Sequence, residues 1–299
     1  MKSCGIFEKK RLQTSTLSSP WLFFILAYSL SWLFELPAAL LEMPEHAYLS
    51  TVLRYLGGLM LPVTAVFLVY LTEGKEGRRD YWQRIIDYKR IGLKWYAVIF
   101  LTVPLLTGLA AFSDFLLGGR GIQLEAAGRF LEQPLAIVPF ALFLLLFGPL
   151  PEEIAWRGYA LDRLQSNRNA LKSSLILGTV WTFWHMPLFF IEGTYQHGLG
   201  LGTPGFWLFM LDKIPQSVLM TWIYNNSRRS TLSAILFHFM VNFTGELFEF
   251  TARAEIYYIL FLIIAAAAVT IIWGPETLSR KNESKFLAET PIRNPDSKS

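Results

Sequence analysis

Three short polar clusters interrupt otherwise apolar stretches of the chain, and their residue types are those of hydrolytic chemistry. The first is Gly148-Pro149-Leu150-Pro151-Glu152-Glu153-Ile154-Ala155-Trp156-Arg157-Gly158. Two prolines two residues apart cannot both occupy an uninterrupted helix interior, so the sequence predicts a break with a restart near Pro151. Glu152 and Glu153 then fall in a first turn, where the helix dipole favours carboxylates. Arg157 follows Glu153 by four residues, in the acid-before-base order that pairs on one face. Glu152 points about 100° away around the helix and keeps its carboxylate free. A buried carboxylate at a helix start is a candidate general base. The plainer alternative is an interfacial helix start with solvated glutamates.

The second cluster is Trp181-Thr182-Phe183-Trp184-His185-Met186-Pro187. Pro187 clashes with the carbonyl of Phe183 and loosens the helix beside the imidazole of His185. A lone histidine among aromatics also serves as a packing residue, so His185 alone decides nothing. The third cluster, His238-Phe239-Met240-Val241-Asn242, stacks an imidazole and a carboxamide on one helical face. Their N–H groups suit a developing oxyanion, although His and Asn also hold membrane helices together.

The elements that position these clusters are membrane helices. Of the 299 residues, 53% are hydrophobic and 17% charged, against about 25% charged in an average soluble chain. The mean hydropathy is +0.37. A single cysteine, Cys4, excludes a disulfide framework and a cysteine-rich zinc module; it reads as a free cytoplasmic thiol. Eight segments are long and apolar enough to span: Trp21–Leu41, Ser50–Thr72, Trp95–Leu117, Pro134–Gly158, Ala170–Ile191, Gly205–Tyr224, Thr231–Phe250 and Glu255–Gly274. These runs are too long for barrel strands and lack their alternation. The first is also too long, and too interrupted by Glu35, for a cleaved signal peptide.

Loop charge gives the orientation. Of the 27 Lys and Arg residues, 21 fall in the two tails, in the loops after the second, fourth and sixth spans, or, for Lys172, at the adjoining end of the fifth span. Only Arg120, Arg129 and Arg253 fall in the loops of the opposite side. The positive-inside rule then places both termini in the cytoplasm. Because this charge is spread over membrane loops, it does not form a nucleic-acid surface. The expected organisation is an all-α polytopic membrane protein. It has a cytoplasmic tail (1–20), one transmembrane domain (21–274, with the motifs in 149–245) and a mobile cytoplasmic tail (275–299). In a prokaryote it would reside in the plasma membrane. At ~1.5 Å per residue from the cytoplasmic ends, Glu152 lies roughly 10 Å deep, His238 about 10–12 Å and His185 about 20 Å, so all three can meet.

E-E-x-x-x-R, then an aromatic-x-x-x-His, then H-x-x-x-N on successive membrane helices resembles the CPBP family of intramembrane proteases. That family includes the type II CAAX prenyl endopeptidases and bacterial proteins linked to bacteriocin self-protection, also called the abortive-infection family. The matching residues are Glu152, Glu153, Arg157, Trp181, His185, His238 and Asn242; Trp181 stands where the family usually has Phe. The resemblance spans roughly Pro149–Gly245. It implies that Glu152 activates a water with help from His185, that His238 and Asn242 stabilise the oxyanion, and that Glu153 and Arg157 brace the site. It implies a prenylated or membrane-associated peptide as substrate, with membrane lipids as surroundings.

Many members are labelled metalloproteases, and Glu152, His185 and His238 could supply three zinc ligands. The absence of an H-E-x-x-H motif and the pairing of His238 with Asn242 favour metal-independent chemistry, so no cofactor is assigned. Two rival functions remain at this level. Asp212, Lys213, Glu35, Glu246 and Glu249 could form the ion path of a transporter. Alternatively, the chain could be a catalytically silent immunity protein. Nothing in the sequence sets the oligomeric state.

Overall fold

The computed structural model describes residues 16–41 and 46–279. Cys4, the basic residues of the N-terminal tail and most of the 275–299 tail lie outside the described residues. Among the described residues the chain is all-α apart from a two-stranded antiparallel ladder, β1 (Ile122–Gln123) with β2 (Glu249–Phe250). Large apolar side chains such as Ile25, Leu33, Phe67, Leu105, Phe112 and Ile271 lie exposed on the outer helix faces. An apolar surface this extensive is a lipid-facing one. The fold class is that of a polytopic membrane protein.

Among the described residues, five helical stretches are long and apolar enough to cross a bilayer. They are α1 (Pro20–Ala39), α2 (Ala47–Thr72), α4 (Leu93–Leu116), the continuous run Pro134–Gln165, and α13 (Ala252–Trp273). The other three expected spans coincide with α9 (Ala170–Trp184), α11 (Pro204–Asn226) and α12 (Thr231–Leu247). Two of these are shorter, and α11 carries Asp212 and Lys213. All three carry the buried polar residues, because their neighbours, rather than lipid, surround them. Between the spans lie the short helices α3 (Lys75–Ile86), α5 (Glu125–Glu132) and α10 (Tyr195–Leu199).

Close approach of the helices depends on two glycines. A Cβ at Gly57 of α2 would lie 2.5 Å from Glu35 Cγ and 2.9 Å from the Ser31 carbonyl of α1. A Cβ at Gly178 of α9 would lie 3.0 Å from Ile214 Cα of α11. Small residues at such crossings let membrane helices pack backbone to backbone.

The loops that charge assigns to the cytoplasm are joined to one another. Arg84 of α3 donates to Asp162 Oδ2 at 2.7 Å, and Arg229 ion-pairs with the same carboxylate. Arg90 donates to the Arg228 carbonyl at 3.1 Å, and Arg163 to Glu73 at 2.6 Å. Residues 275–279, expected to begin a mobile tail, are instead docked here. Asn225 and Asn226 donate to the carbonyls of Thr277 and Leu278, and the Leu278 side chain is fully buried. At the opposite end Asp114 gathers Arg253, Thr251 and the Gly121 amide.

Candidate active site

The run from Pro134 does not continue as one regular helix. Helix α6 (Ile137–Phe147) stops at Gly148, whose φ of −131° and ψ of −93° are non-helical. Helix α7 (Pro149–Ala155) restarts there, two residues earlier than the sequence suggested. Pro149 suits the first helical position because its missing N–H would be unpartnered anyway. Glu152 sits in the first turn of α7, as expected. After Ala155 the helix widens into a π turn (Trp156–Ala160), in which the Leu161 amide reaches back to the Trp156 carbonyl, before α8 (Leu161–Gln165) resumes.

Glu153 and Arg157 pair as their spacing requires. One Arg157 nitrogen lies 2.9 Å from each carboxylate oxygen, and both side chains are fully buried. A second Arg157 nitrogen donates to Ser217 of α11 at 3.1 Å. His238 of α12 places Nδ1 3.0 Å from Glu153 Oε1, so Glu153 lies between a guanidinium and an imidazole. The sequence reading paired His238 with Asn242 and missed this bond.

The Glu152 carboxylate is not free. The Trp181 indole donates to its Oε2 at 2.6 Å. The Trp181 ring also meets the His238 ring edge-on at 5.0 Å and lies 5.2 Å from the Arg157 guanidinium. His185 ends α9 as its C-cap, and residues Met186–Phe190 turn away as a 3-10 segment, the interruption that Pro187 predicts. Its Nδ1 lies 2.9 Å from the Trp181 carbonyl. A carbonyl only accepts, so Nδ1 carries the proton and Nε2 presents a lone pair. The ring is wedged between Trp184 and Phe209 at 5.0 and 5.4 Å. Asn242 lies one turn beyond His238, partly buried. Its amide nitrogen lies so close to Gly148 that a Cβ there would be 3.1 Å away. The missing side chain of Gly148 therefore makes room for the carboxamide.

Asp212 and Lys213 pair with each other at 2.9 Å, and Gln216 donates to Asp212 at 3.0 Å. Glu35 is buried on α1, whereas Glu246 and Glu249 are exposed at the far end of α12. Both histidines have committed Nδ1 to partners. Among the described residues, no three His, Cys, Asp or Glu side chains form a group that could hold a metal ion. The Nδ1 contacts leave both Nε2 atoms available, but Glu152, His185 and His238 are not gathered into a group that could hold zinc.

Comparison with known proteins decides the family. Residues 134–244 match the family profile "Type II CAAX prenyl endopeptidase Rce1-like", a stretch containing all three clusters. The chain is also similar to CAAX prenyl protease 2 of Methanococcus maripaludis, 31% identical over 255 residues, covering 85% of this chain and 93% of the relative. The chain belongs to the Rce1-like CAAX prenyl endopeptidase family. As an Rce1-like protein it is an intramembrane endopeptidase, and the transporter reading falls away. The similarity extends well beyond the stretch that the motifs alone could match.

Proposed function

We propose that this Rce1-like protein cleaves prenylated C-terminal peptides at the cytoplasmic side of a prokaryotic plasma membrane, with eight spans and both termini cytoplasmic. The arrangement of Glu153 between Arg157 and His238, with Glu152 adjacent on Trp181, carries the reading. A prenyl chain is held by lipid, and its peptide then reaches a site near the membrane surface. The printed name of the Methanococcus maripaludis relative supports this substrate class.

In this mechanism Glu152 takes a proton from a water as the water oxygen attacks the scissile carbonyl carbon. His185 accepts a hydrogen bond from the same water through Nε2 and so orients it. The carbonyl oxygen becomes an oxyanion, to which His238 and the Asn242 amide donate. Donation from His238 to the oxyanion runs through Nε2, while its Nδ1 faces the Glu153 carboxylate at 3.0 Å. When the C–N bond breaks, Glu152 returns its proton to the leaving amine. The products are a carboxylic acid and an amine, and Glu152 is again ionised. Glu153 and Arg157 touch no substrate; they hold His238.

The test is cleavage of a farnesylated peptide by protein in proteoliposomes, with product masses locating the cut. The wild type should cut it, while Glu152→Gln and an unprenylated peptide should give little product. Cleavage by Glu152→Gln at the wild-type rate would sink the role assignment. Equal cutting of both peptides would sink the substrate class.

A further inference from the structure

The π turn between α7 and α8 is built on a helix from another part of the chain. A π turn interrupts the regular i→i+4 ladder, and backbone carbonyls in an apolar interior need donors. One carbonyl just before this turn and one inside it receive them from α3. Tyr81 donates to the Ile154 carbonyl at 3.0 Å, and Arg84 donates to the Gly158 carbonyl at 3.1 Å. Burial pushes the Tyr81 phenol above its ordinary range, so it keeps its proton and stays a donor. Arg84 also donates to Asp162 at 2.7 Å and to the Tyr224 hydroxyl at 2.6 Å, which in turn donates to Asp162 at 3.0 Å. Gly158 lets α3 approach, since a Cβ there would lie 3.2 Å from the Tyr81 ring and 3.4 Å from the Glu153 carbonyl.

The turn matters because Arg157 lies inside it and Glu153 just before it. Its extra residue sets the rotation at which Arg157 faces Glu153, Ser217 and the Trp181 ring. Glu153 in turn holds His238. We propose that Tyr81 and Arg84 are positioning residues of the active site, clasping the π turn from α3 so that Arg157 and Glu153 hold His238 in its working orientation. The basic α2–α4 connection is then part of the catalytic apparatus, and displacing α3 would slacken the site without touching it. The kinetic consequence rests on the peptidase mechanism given above, whereas the structural consequence does not.

Tyr81→Phe keeps the ring on Gly158 and removes only the donor to Ile154. On the farnesylated peptide, kcat should fall about tenfold with KM nearly unchanged, since one hydrogen bond that acts on the transition state is lost. Arg84→Lys, whose single nitrogen cannot span Asp162 and the Gly158 carbonyl as two guanidinium nitrogens do, should fall further but retain more activity than Arg84→Ala. Ile86→Ala, on the exposed side of α3, should behave as the wild type. Hydrogen exchange read by mass spectrometry should speed up for residues 156–161 in Tyr81→Phe and stay unchanged in α9 and α12. Wild-type exchange at 156–161 would overturn the clasp, and so would faster exchange throughout the protein. Local loosening with wild-type kcat would overturn its catalytic bearing. If the wild type fails to cut the peptide, the substrate reading fails, and the exchange data still decide the clasp.

Discussion

The indole Nε1 of Trp181 donates to Glu152 Oε2 at 2.6 Å, joining residues 29 positions apart. The same residue accepts the His185 Nδ1–H on its carbonyl and presents its ring to His238 and Arg157. Trp181→Phe keeps the aromatic face and removes only the donor. Turnover should drop about tenfold with little change in KM, the rate equivalent of about 1.4 kcal/mol. Unchanged turnover would show that the bond does not position Glu152.

The two adjacent glutamates should respond differently to the same substitution. Glu152→Gln should abolish turnover and leave thermal unfolding in detergent almost unchanged. Glu153→Gln leaves the fully buried Arg157 without its counter-charge. That should cost about 3–5 kcal/mol of stability and reduce the folded fraction recovered by gel filtration. Equal stability of the two variants would contradict the assigned division of roles.

Metal dependence has a direct measurement. With Glu152, His185 and His238 not gathered into a metal-holding group, mass spectrometry of active, purified protein should find zinc well below stoichiometric. Activity should survive chelation. Stoichiometric zinc, with activity lost to chelator and restored by zinc, would mean that these side chains rearrange around an ion.

The α1–α2 crossing should be sensitive to a single methyl group. Gly57→Ala places a carbon 2.5 Å from Glu35 Cγ and 2.9 Å from the Ser31 carbonyl, a backbone atom that cannot rotate aside. The resulting overpacking should destabilise the protein by about 1–3 kcal/mol, readable as a lower midpoint in thermal unfolding.

Orientation can be checked from outside intact cells. With Cys4 replaced by serine, a thiol at Lys75, exposed at the start of α3, should escape an impermeant reagent. A thiol at Gly198, exposed on α10, should react. The reverse pattern would place the active site at the opposite membrane face.

What the sequence revealed was local. The break at Gly148-Pro149, the Glu153–Arg157 pair and the end of α9 before Pro187 all follow from covalent geometry and helical spacing. The bonds from His238 to Glu153 and from Trp181 to Glu152 depend on how separate helices pack, and no spacing rule reaches across them. The π turn has no proline or charge pattern to announce it; Gly158 is its only unusual residue. Helix α3 read simply as a basic loop, because the acceptors of Tyr81 and Arg84 are backbone carbonyls. The spans α9, α11 and α12 satisfy a length-and-apolarity test poorly for the reason that makes them useful: their polar groups face protein rather than lipid.

The Glu153–Arg157 pair also bears on how the chain is made. Its members are four residues apart, whereas His238 follows Glu153 by 85. As this segment enters the bilayer during synthesis, each bare charge would cost about 2.5–3.5 kcal/mol at mid-depth. A partner one turn away cancels that charge within the nascent helix, with no help from later segments. The imidazole arrives only with α12, so a half-synthesised chain already holds Glu152 but lacks both His238 and Asn242, the proposed donors. On the proposed mechanism, peptide-cutting ability therefore switches on late in biogenesis, after most of the membrane domain is in place.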